Sequence, residues 1–501
     1  MGVIKRQGFK RSVVSYAGVA LGLASTLFIY PLELEIYGTA QFFISLAVLI
    51  APLATLGIRT LAIRFFPDFR DDESGHHGLL GLLILSSLLV FAAFSALLLL
   101  FRPYFYHLLQ QLHFDKMVFA ENLMIIGLLT FAYVFMDLFS TYASNFQRVA
   151  VPELLSNFSL KVGLPILILL VYFNWWTQAQ FDWGLVGLYG LMALSLAIYL
   201  RQLGQWRLRI DWSFLTPPRR HSMLSYAFFG MLTALGGTLA FRIDSIMVTS
   251  LIDERTNGAY NIALFMTNTI IIPFQAINAI AGPIVADNWA SKDLGNILDI
   301  YRRSSLNLLL IGGFLFALLY LVLDDLLRIS TNYEELVIIK DIVFLLGLAK
   351  VIDMTTGINN IIIGYSSAYR FNFYSILLLG VMNVLMNYLL IPRYHIVGAA
   401  LATLVSLLAY NLAKYLFILF RFGMQPFTWG TLKVLALGLG AYALLSWLPR
   451  TGWPLVNLAL LGGLFTLLFW IPALYWRLSP DINETVERVW RRLRHGPDEP
   501  S

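Results

Sequence analysis

Long apolar runs recur along the whole chain, and short polar segments separate them. A run of about 20 apolar residues is long enough for a helix to cross the roughly 30 Å hydrocarbon core of a membrane. The pattern predicts fourteen such helices, and a polar break at residues 253–258 divides the seventh from the eighth. The predicted spans are 12–30, 40–62, 79–101, 118–142, 154–173, 184–200, 221–250, 258–282, 304–323, 337–363, 372–391, 396–420, 432–449 and 454–475.

Composition supports a membrane protein, because 58% of the residues are hydrophobic and only 13% are charged. Soluble domains carry roughly 25% charged residues, so we expect an all-α integral membrane protein. With the N-terminus inside, 24 of the 35 Lys and Arg residues fall in inner segments and 6 in outer loops. This bias predicts that both termini are cytoplasmic. It also accounts for the net charge of +6 without a nucleic-acid partner, and the absence of cysteine excludes disulfides.

The two halves of the chain resemble each other at an offset near 220 residues. IYGTA at 36–40 matches TNGAY at 256–260, and GLVGLYG at 184–190 matches HIVGAAL at 395–401. Six helices per half give both halves the same orientation, which predicts two parallel lobes with a cavity between them. The predicted division is 1–205 for the N-terminal lobe, 221–420 for the C-terminal lobe, 432–475 for two extra helices and 476–501 for a cytoplasmic amphipathic basic tail.

Charged residues inside the predicted spans are candidates for function. LAFRIDSIMVTSL at 239–251 contains Arg242 and Asp244, and a charge at the centre of a span costs about 2.5–3.5 kcal/mol on insertion scales. Residues two apart on a helix point in different directions, so we expect this pair to line a hydrated cavity or to form ion pairs between the lobes. Lys350 and Asp353 share one helix face, where they either pair with each other or line the cavity.

Two further sets of charges are predicted to have a structural, gating or entrance role. Asp137 and Lys161 lie in the inner halves of neighbouring antiparallel helices, which predicts a structural or gating pair between them. Arg59 and Arg64 lie at the inner end of the second predicted span. We expect both arginines to reach lipid phosphate, and they are also candidates for a cavity entrance.

Four stretches of the sequence carry motifs, namely ELEIYGTAQF (33–42), LGIRTLAIRFFPDF (56–69), RIDSIMVTSL with NGAYNIA (242–263) and IPRYHIVGAALATLVS (391–406). They resemble the oligosaccharide and O-antigen flippases of the MOP superfamily, over essentially the whole chain. The last stretch is shared with the multidrug (MATE) branch of the superfamily, so it does not fix the substrate. The chain departs from the pattern at His395, where such sequences usually have Gly.

The resemblance implies a two-lobed transporter that flips undecaprenyl-diphosphate-linked oligosaccharide from the inner to the outer leaflet of the bacterial cytoplasmic membrane, for the synthesis of surface polysaccharide. Arg242 is then the best candidate contact for the diphosphate, because a guanidinium makes bidentate pairs with phosphate oxygens. We expect a monomer that contacts membrane lipids, with a polysaccharide polymerase and glycosyltransferases as further partners. No cofactor and no metal is expected.

Amide side chains form a polar stripe on the eighth predicted span. Asn261, Asn268 and Gln275 recur every seven residues, and Asn278 follows on the same side. The stripe extends over about 21 Å of helix, so we expect either a sugar-lined cavity wall or hydrogen bonds between helices. Asn383 belongs to a smaller set of this kind on the eleventh predicted span.

Two other functions stay open. A drug or cation antiporter of the MATE type is disfavoured, because no acidic residue lies between Ser12 and Tyr30 on the first span. A membrane polysaccharide polymerase or glycosyltransferase usually has its catalytic residues on a long outer loop. The longest outer loop here, 102–117, is short and lacks a metal-site spacing, and no G-x-x-x-x-G-K-[ST] nucleotide loop is present. We therefore do not expect an enzyme.

Overall fold

The computed structural model describes residues 17–111, 121–146, 148 and 150–495, and every regular element within them is a helix. The helices are α1 (Ala17–Leu32), α2 (Leu34–Thr55), α3 (Ile58–Phe69), α4 (Leu79–Leu100), α5 (Arg102–Gln111), α6 (Leu123–Ser144), α7 (Ala150–Tyr172), α8 (Gln178–Gln202), α9 (Pro217–Leu251), α10 (Glu254–Asn268), α11 (Ile272–Ser291), α12 (Leu294–Ile329), α13 (Tyr333–Leu336), α14 (Ile339–Thr355), α15 (Asn359–Tyr365), α16 (Arg370–Phe422), α17 (Trp429–Ser446), α18 (Pro454–Tyr475) and α19 (Pro480–His495).

Ten of the described helices are long and apolar enough to cross a membrane, and the bent pair α10 and α11 makes an eleventh span if it is counted as one. Helix α16 has 53 residues and contains a backbone break, so it is long enough for two spans. Helices α1 and α14 are shorter. The prediction of an all-α membrane protein is confirmed, and the predicted count of fourteen spans is consistent with these helices.

The second predicted span is two helices rather than one. Leu56 and Gly57 have φ angles of 49° and 70°, a left-handed conformation that ends α2 before α3 begins. A Cβ atom at Gly57 would lie 2.5 Å from the backbone nitrogen of Met231 on α9. Glycine is therefore required here both for the turn and for the close approach of α9.

The motif departure at His395 falls on an unusual backbone conformation. His395 has a φ of 50° and a ψ of −135° inside α16. Glycine adopts this conformation easily and other residues rarely do. The glycine expected from the resemblance would therefore fit this break without strain, and His395 keeps the same break at a conformational cost.

The eighth predicted span is broken as well. Helices α10 and α11 meet at an angle of 47°, and residues 269–271 connect them. Pro273 lies at the start of α11, where its missing N–H interrupts the hydrogen-bond ladder of a continuous helix. The predicted amide stripe requires one straight helix from 258 to 282, so its predicted geometry is wrong.

The described residues divide into two compact units. Unit 1 lies within Met1–Ile262 and Asn383–Ile396, and unit 2 lies within Ala263–Met382 and Val397–Ser501. In unit 1, α2 packs against α6 and α9, and α6 packs against α8. In unit 2, α12 packs against α14, α17 and α18 around a core that includes Phe465 and Phe469. The lobe boundaries predicted from the sequence stay a prediction.

Candidate functional site

The cavity that Arg59, Asp137 and Arg242 line, which we call the main cavity, lies in unit 1 among residues of α2, α3, α6 and α9. It has a volume of about 460 Å³ and mostly apolar walls. Arg59, just after the α2–α3 break, lines this space, and the small residues Gly230, Ala234 and Gly237 line it from α9. The sequence that breaks the helix therefore also forms the cavity.

A second cavity of about 220 Å³ adjoins the first, and we call it the polar recess. Its polar side chains come from α3, α6, α7, α8 and α9, so no single sequence motif contains them. The two cavities share Arg59, Tyr133, Asp137 and Arg242, and we call this shared region the junction. The other polar side chains of the recess are Ser140, Ser156, Asn157 and Tyr189.

The junction carries an excess of positive charge. Arg59 donates a hydrogen bond from Nη1 to Oδ1 of Asp137 over 2.9 Å, and the two side chains are 61% and 24% exposed. Arg242 is half-buried and forms no ion pair within the part of the chain that the structure describes. The junction therefore holds two guanidinium groups and one carboxylate, which pairs with Arg59 alone, and this excess of positive charge favours an anionic ligand.

Three tyrosines lie near Arg242. Tyr37 on α2, Tyr133 on α6 and Tyr189 on α8 lie close enough to interact electrostatically with its guanidinium. A phenol is neutral at ordinary pH, so these rings leave the positive charge of Arg242 uncompensated. This environment answers why the chain keeps Arg242 inside a span: it lines a cavity.

Asp244 is placed differently from Arg242, as the two-residue spacing predicted. It is only 3% exposed. Its Oδ2 accepts a hydrogen bond from Tyr260 Oη over 3.0 Å, and its Oδ1 accepts one from Asn387 Nδ2 over 2.6 Å. Asn383 joins the same network, because its carbonyl oxygens accept from Asn387 while its Nδ2 donates to Ala240 O. Asp244 and Asn383 line neither of the two cavities described above.

The first turns of α2 and α10, beside the Asp244 network, are in close backbone contact. A Cβ at Gly38 on α2 would overlap the carbonyl oxygen of Glu254 on α10, and one at Gly258 would overlap that of Leu34. Asn257 donates from Nδ2 to Gly38 O over 2.8 Å. The first turns of α2 and α10 therefore form a closed contact at the end of α2 opposite the main cavity.

The residues of the predicted amide stripe have different environments. Asn261 is buried and donates to Ser245 Oγ over 3.1 Å. Of the two predicted alternatives, this residue therefore follows the second, a hydrogen bond between helices. Asn268 and Gln275 are exposed on the two sides of the α10–α11 bend. Asn278 is half-buried, and its Oδ1 has no hydrogen-bond partner among the described residues. These four amides do not form one continuous face.

Unit 2 contains a buried polar network centred on Lys414, which was not among the predicted site residues. Lys414 is fully buried on α16 and donates from Nζ to Asn360 Oδ1 and, over 2.6 Å, to Tyr410 Oη. Its Nζ also lies 4.0 Å from the centroid of the Tyr410 ring. Asp353 lies nearby and accepts from Asn411 Nδ2 over 3.0 Å. Lys350 is buried on the same helix as Asp353.

The predicted pairing of Asp137 with Lys161 is corrected by the structure. Asp137 pairs with Arg59, because the α2–α3 break brings Arg59 to α6. The Nζ of Lys161 lies instead near Gly18, 3.2 Å from where a Cβ of that residue would be. Arg64 is exposed about two turns after the break, its Nη1 lies 3.7 Å from Oδ2 of Asp68, and it lines neither cavity.

Several residues of the site escaped sequence reasoning. Tyr133, Tyr189 and Asn157 belong to ordinary apolar or polar segments, and only the packing of three helices brings them together. Lys414 had a signal, since a lysine in the middle of an apolar run carries a large insertion cost. Among the described residues, no group of three or more His, Asp or Glu is arranged to hold a metal ion.

Comparison with known proteins rests on structure. No protein-family model and no curated protein matches the sequence. The lipid II flippase MurJ in an inward closed conformation aligns with a TM-score of 0.69 at 15% identity, over 93% of this chain and 98% of that chain. An inward-facing multidrug resistance MATE family transporter of the MOP superfamily aligns with a TM-score of 0.64 at 13% identity, over 81% and 94%.

A third structure is a MOP superfamily transporter from Pyrococcus furiosus, described by the reverse polarity of its binding pocket. It aligns with a TM-score of 0.53 at 13% identity, over 87% of this chain and 96% of that one. At such low identity these likenesses show the fold. The chain therefore has the fold of MOP superfamily transporters, as the sequence resemblance predicted.

Proposed function

We propose that this chain is a transporter that flips lipid-linked oligosaccharide diphosphates from the inner to the outer leaflet of the bacterial cytoplasmic membrane by alternating access. The polysaccharide assembled from them, such as the O-antigen of lipopolysaccharide, lies at the cell surface. The observation that carries the proposal is the junction, which holds the two guanidinium groups of Arg59 and Arg242 and the carboxylate of Asp137, paired with Arg59 alone. A diphosphate matches this excess of positive charge, and guanidinium groups bind phosphate oxygens in pairs.

The walls on either side of the junction support an amphiphilic substrate. The main cavity has largely apolar walls, which suit the first units of an isoprenoid chain, and the polar recess offers hydroxyl and amide groups that suit a sugar. The positive charge of the junction lies between the two cavities, as the diphosphate lies between lipid and sugar in the substrate. The fold shared with a lipid II flippase is in keeping with this assignment.

A drug or cation antiporter of the MATE type is the second candidate, because the fold is shared with such transporters. An organic cation would meet two arginines and one aspartate at the junction, and this charge balance repels it. Expression of the chain in a drug-sensitive strain separates the two functions. Flippase function predicts unchanged drug resistance, and an antiporter predicts resistance to cationic drugs.

Complementation of a flippase-deficient strain tests the proposal. Arg242→Ala is expected to abolish surface polysaccharide while the amount of protein in the membrane stays near normal. Arg242→Lys keeps the charge but loses the bidentate geometry, so it should complement partially. Arg370→Ala serves as the matched control, because Arg370 is exposed and lies outside both cavities. Full complementation by Arg242→Ala would refute the proposal.

The cellular context forms part of the same proposal. We place both termini in the cytoplasm, treat the transporter as a monomer among membrane lipids, and assign glycosyltransferases and a polysaccharide polymerase as its partners in the pathway. Reporter fusions test the topology. Fusions after Arg220 and at the C-terminus should report the cytoplasm, and a fusion near Asp253 should report the outside.

A further inference from the structure

Helix α19 is attached to unit 2 by its first turn. Asp481 accepts a hydrogen bond from Asn307 Nδ2 over 2.8 Å and pairs with Arg303 Nη1 over 3.4 Å, and both partners lie on α12. Asn483 donates from Nδ2 to the carbonyl oxygen of Leu474 on α18 over 2.7 Å. Because α12 and α18 are long and apolar enough to cross a membrane, the start of α19 has a fixed position beside two spans.

After that turn, an apolar face of α19 extends away from the core of unit 2. Ile482, Val486 and Trp490 follow each other at intervals of four residues, so they lie along one side of the helix. Ile482 packs against the core that includes Phe465 and Phe469. Val486 and Trp490 are 43% and 57% exposed. The side of α19 that begins in the protein core therefore continues as an exposed apolar surface.

Aromatic side chains indicate the level of the membrane surface at this end of unit 2. Trp429 begins α17, Tyr475 ends α18 and Trp476 follows it, and all three are exposed. Tryptophan and tyrosine at the ends of spans are typical of the membrane–water interface. Since α19 starts at Pro480 and bonds to Leu474 near the end of α18, it leaves unit 2 at this interface.

The charges of α19 are separated along its length. Residues 480–487 contain three acidic residues and no Lys or Arg, whereas residues 488–495 contain four arginines and no Asp or Glu. This order suits the helix dipole, and it also concentrates positive charge in the half of the helix that lies farther from the attachment. Anionic lipids give the cytoplasmic leaflet a negative surface potential that attracts such clusters.

Two of these arginines form weak pairs within the helix. Nη2 of Arg488 lies 3.1 Å from Oε1 of Glu484, and Nη2 of Arg491 lies 3.8 Å from Oε2 of Glu487. The four side chains are at least half exposed, and exposed pairs of this kind contribute little. The arginines are therefore able to exchange these carboxylates for the phosphates of lipid headgroups, with which a guanidinium makes strong hydrogen bonds.

We propose that α19 is an interfacial helix that docks on the inner leaflet through anionic phospholipids. Its arginine-rich half binds the headgroup phosphates, and Val486 and Trp490 enter the apolar region just below them, as in other amphipathic helices at membrane surfaces. The inference goes beyond the proposed function and does not depend on which substrate is transported. The choice of the inner leaflet follows from the cytoplasmic C-terminus proposed above.

Spin labels on the purified, full-length protein in lipid nanodiscs test the docking. The chain has no cysteine, so Val486→Cys and Glu484→Cys each give one labelled site. Residues two apart lie about 160° apart around a helix, and Glu484→Cys is therefore the matched control on the opposite face. The nanodiscs contain phosphatidylcholine alone or phosphatidylcholine mixed with phosphatidylglycerol. Collisions with oxygen, which concentrates in lipid, are compared with collisions with a water-soluble nickel complex.

In nanodiscs with phosphatidylglycerol, the Val486 label should be more accessible to oxygen and the Glu484 label more accessible to nickel. Arg488→Gln and Arg491→Gln should each lower the ratio of docked to undocked helix about fivefold, which corresponds to about 1 kcal/mol for an arginine near an anionic surface. High salt should lower the ratio as well. Arg370→Gln is the matched control, because Arg370 is exposed and precedes α16, and it should leave the ratio unchanged. Thermal unfolding verifies that each variant is folded.

Three results would overturn the proposal. A Val486 label that is more accessible to nickel in both kinds of nanodisc means that the helix stays in water. Protection of this label from both reagents means that protein, such as a second copy of the chain, covers the apolar face. An equal preference for oxygen with and without phosphatidylglycerol means that the helix binds lipid without recognition of charge. Each result leaves the proposed transport function unaffected, since no transported substrate is present.

Discussion

Units 1 and 2 treat charged side chains inside helices in opposite ways. In unit 1, Arg59, Asp137 and Arg242 are partly exposed and line two connected cavities. In unit 2, Lys414 is completely buried, and its ammonium group is bound by Asn360 and Tyr410. The comparison shows that a charged residue in an apolar run can belong either to a ligand site or to a structural network. Full burial with hydrogen-bond partners indicates the structural network.

The largest expected effect is on the stability of unit 2. Lys414→Met removes the donor to Asn360 and Tyr410 and a positive charge near Asp353. Removal of one partner from a buried network costs about 3–5 kcal/mol. The variant should show a lower thermal unfolding midpoint and reduced abundance, and Lys414→Met with Asp353→Asn should recover part of the loss. Arg242→Ala should leave both quantities near those of the wild type. An equal loss in both variants would contradict the distinction between a ligand site in unit 1 and a structural network in unit 2.

A second comparison lies within α2, whose first turns are sealed and whose last turns line the main cavity. Gly38→Ala introduces a Cβ that overlaps a backbone oxygen of α10, and overpacking of this kind costs about 1–3 kcal/mol. Gly187→Ala is the matched control, because a Cβ there meets no atom within 4 Å and alanine favours the helix by about 1 kcal/mol. Denaturant titration should therefore show opposite signs, and destabilisation by both substitutions would contradict the sealed contact.

The ion pair at the junction should contribute little to stability. The Arg59 and Asp137 side chains are 61% and 24% exposed, and exposed ion pairs are worth about 0–1 kcal/mol. Asp137→Asn should change the free energy of unfolding by less than about 1 kcal/mol. It should also tighten the binding of an isoprenyl diphosphate, because it removes the one negative charge of the junction. Strong destabilisation would assign Asp137 to a structural network like that of Lys414.

The smallest effect concerns pH and a loop of unit 1. The Ser213 hydroxyl, followed by the His77 ring, donates to Asp211 and lowers the pKa of its carboxyl group from 3.8 to about 2. A lowered pKa means that the contribution to stability is present above about pH 3.8 and is lost as the pH falls towards 2. The free energy of unfolding of Asp211→Asn should therefore fall less than that of the wild type as the pH is lowered from about 3.8 to about 2. Asp287→Asn, at an exposed position, should leave the acid dependence unchanged.

Sequence patterns predicted the elements better than their geometry. Apolar runs located the spans, because the membrane requires about 20 such residues in a helix. They also left a gap between the spans 372–391 and 396–420 that contains His395. They did not reveal the break at Leu56–Gly57, because the backbone conformation there depends on packing against α9. The wrong amide stripe has the same origin, since the bend before Pro273 rotates Gln275 away from the line through Asn261.

The site was predictable only where burial of a charge is costly by itself. That cost made Arg242 a candidate from the sequence alone, and the structure places it at the junction of the two cavities. The predicted partner of Asp137, Lys161, was wrong. One straight helix over residues 40–62 places Arg59 at its inner end, whereas the break at Leu56–Gly57 brings Arg59 to Asp137. The recess tyrosines gave no signal, since a tyrosine in a membrane helix is usual at the lipid interface.

The central claim is that Arg242 binds the diphosphate of a lipid-linked sugar during transport. The most direct measurement is the rate at which purified protein in liposomes moves a fluorescent isoprenyl diphosphate oligosaccharide between leaflets, for the wild type, Arg242→Lys and Arg242→Ala. Charge-assisted hydrogen bonds of about 1.5–3 kcal/mol correspond to roughly 10- to 100-fold. We predict a loss in this range for Arg242→Ala and an intermediate rate for Arg242→Lys. Equal rates for the wild type and Arg242→Ala would contradict the claim.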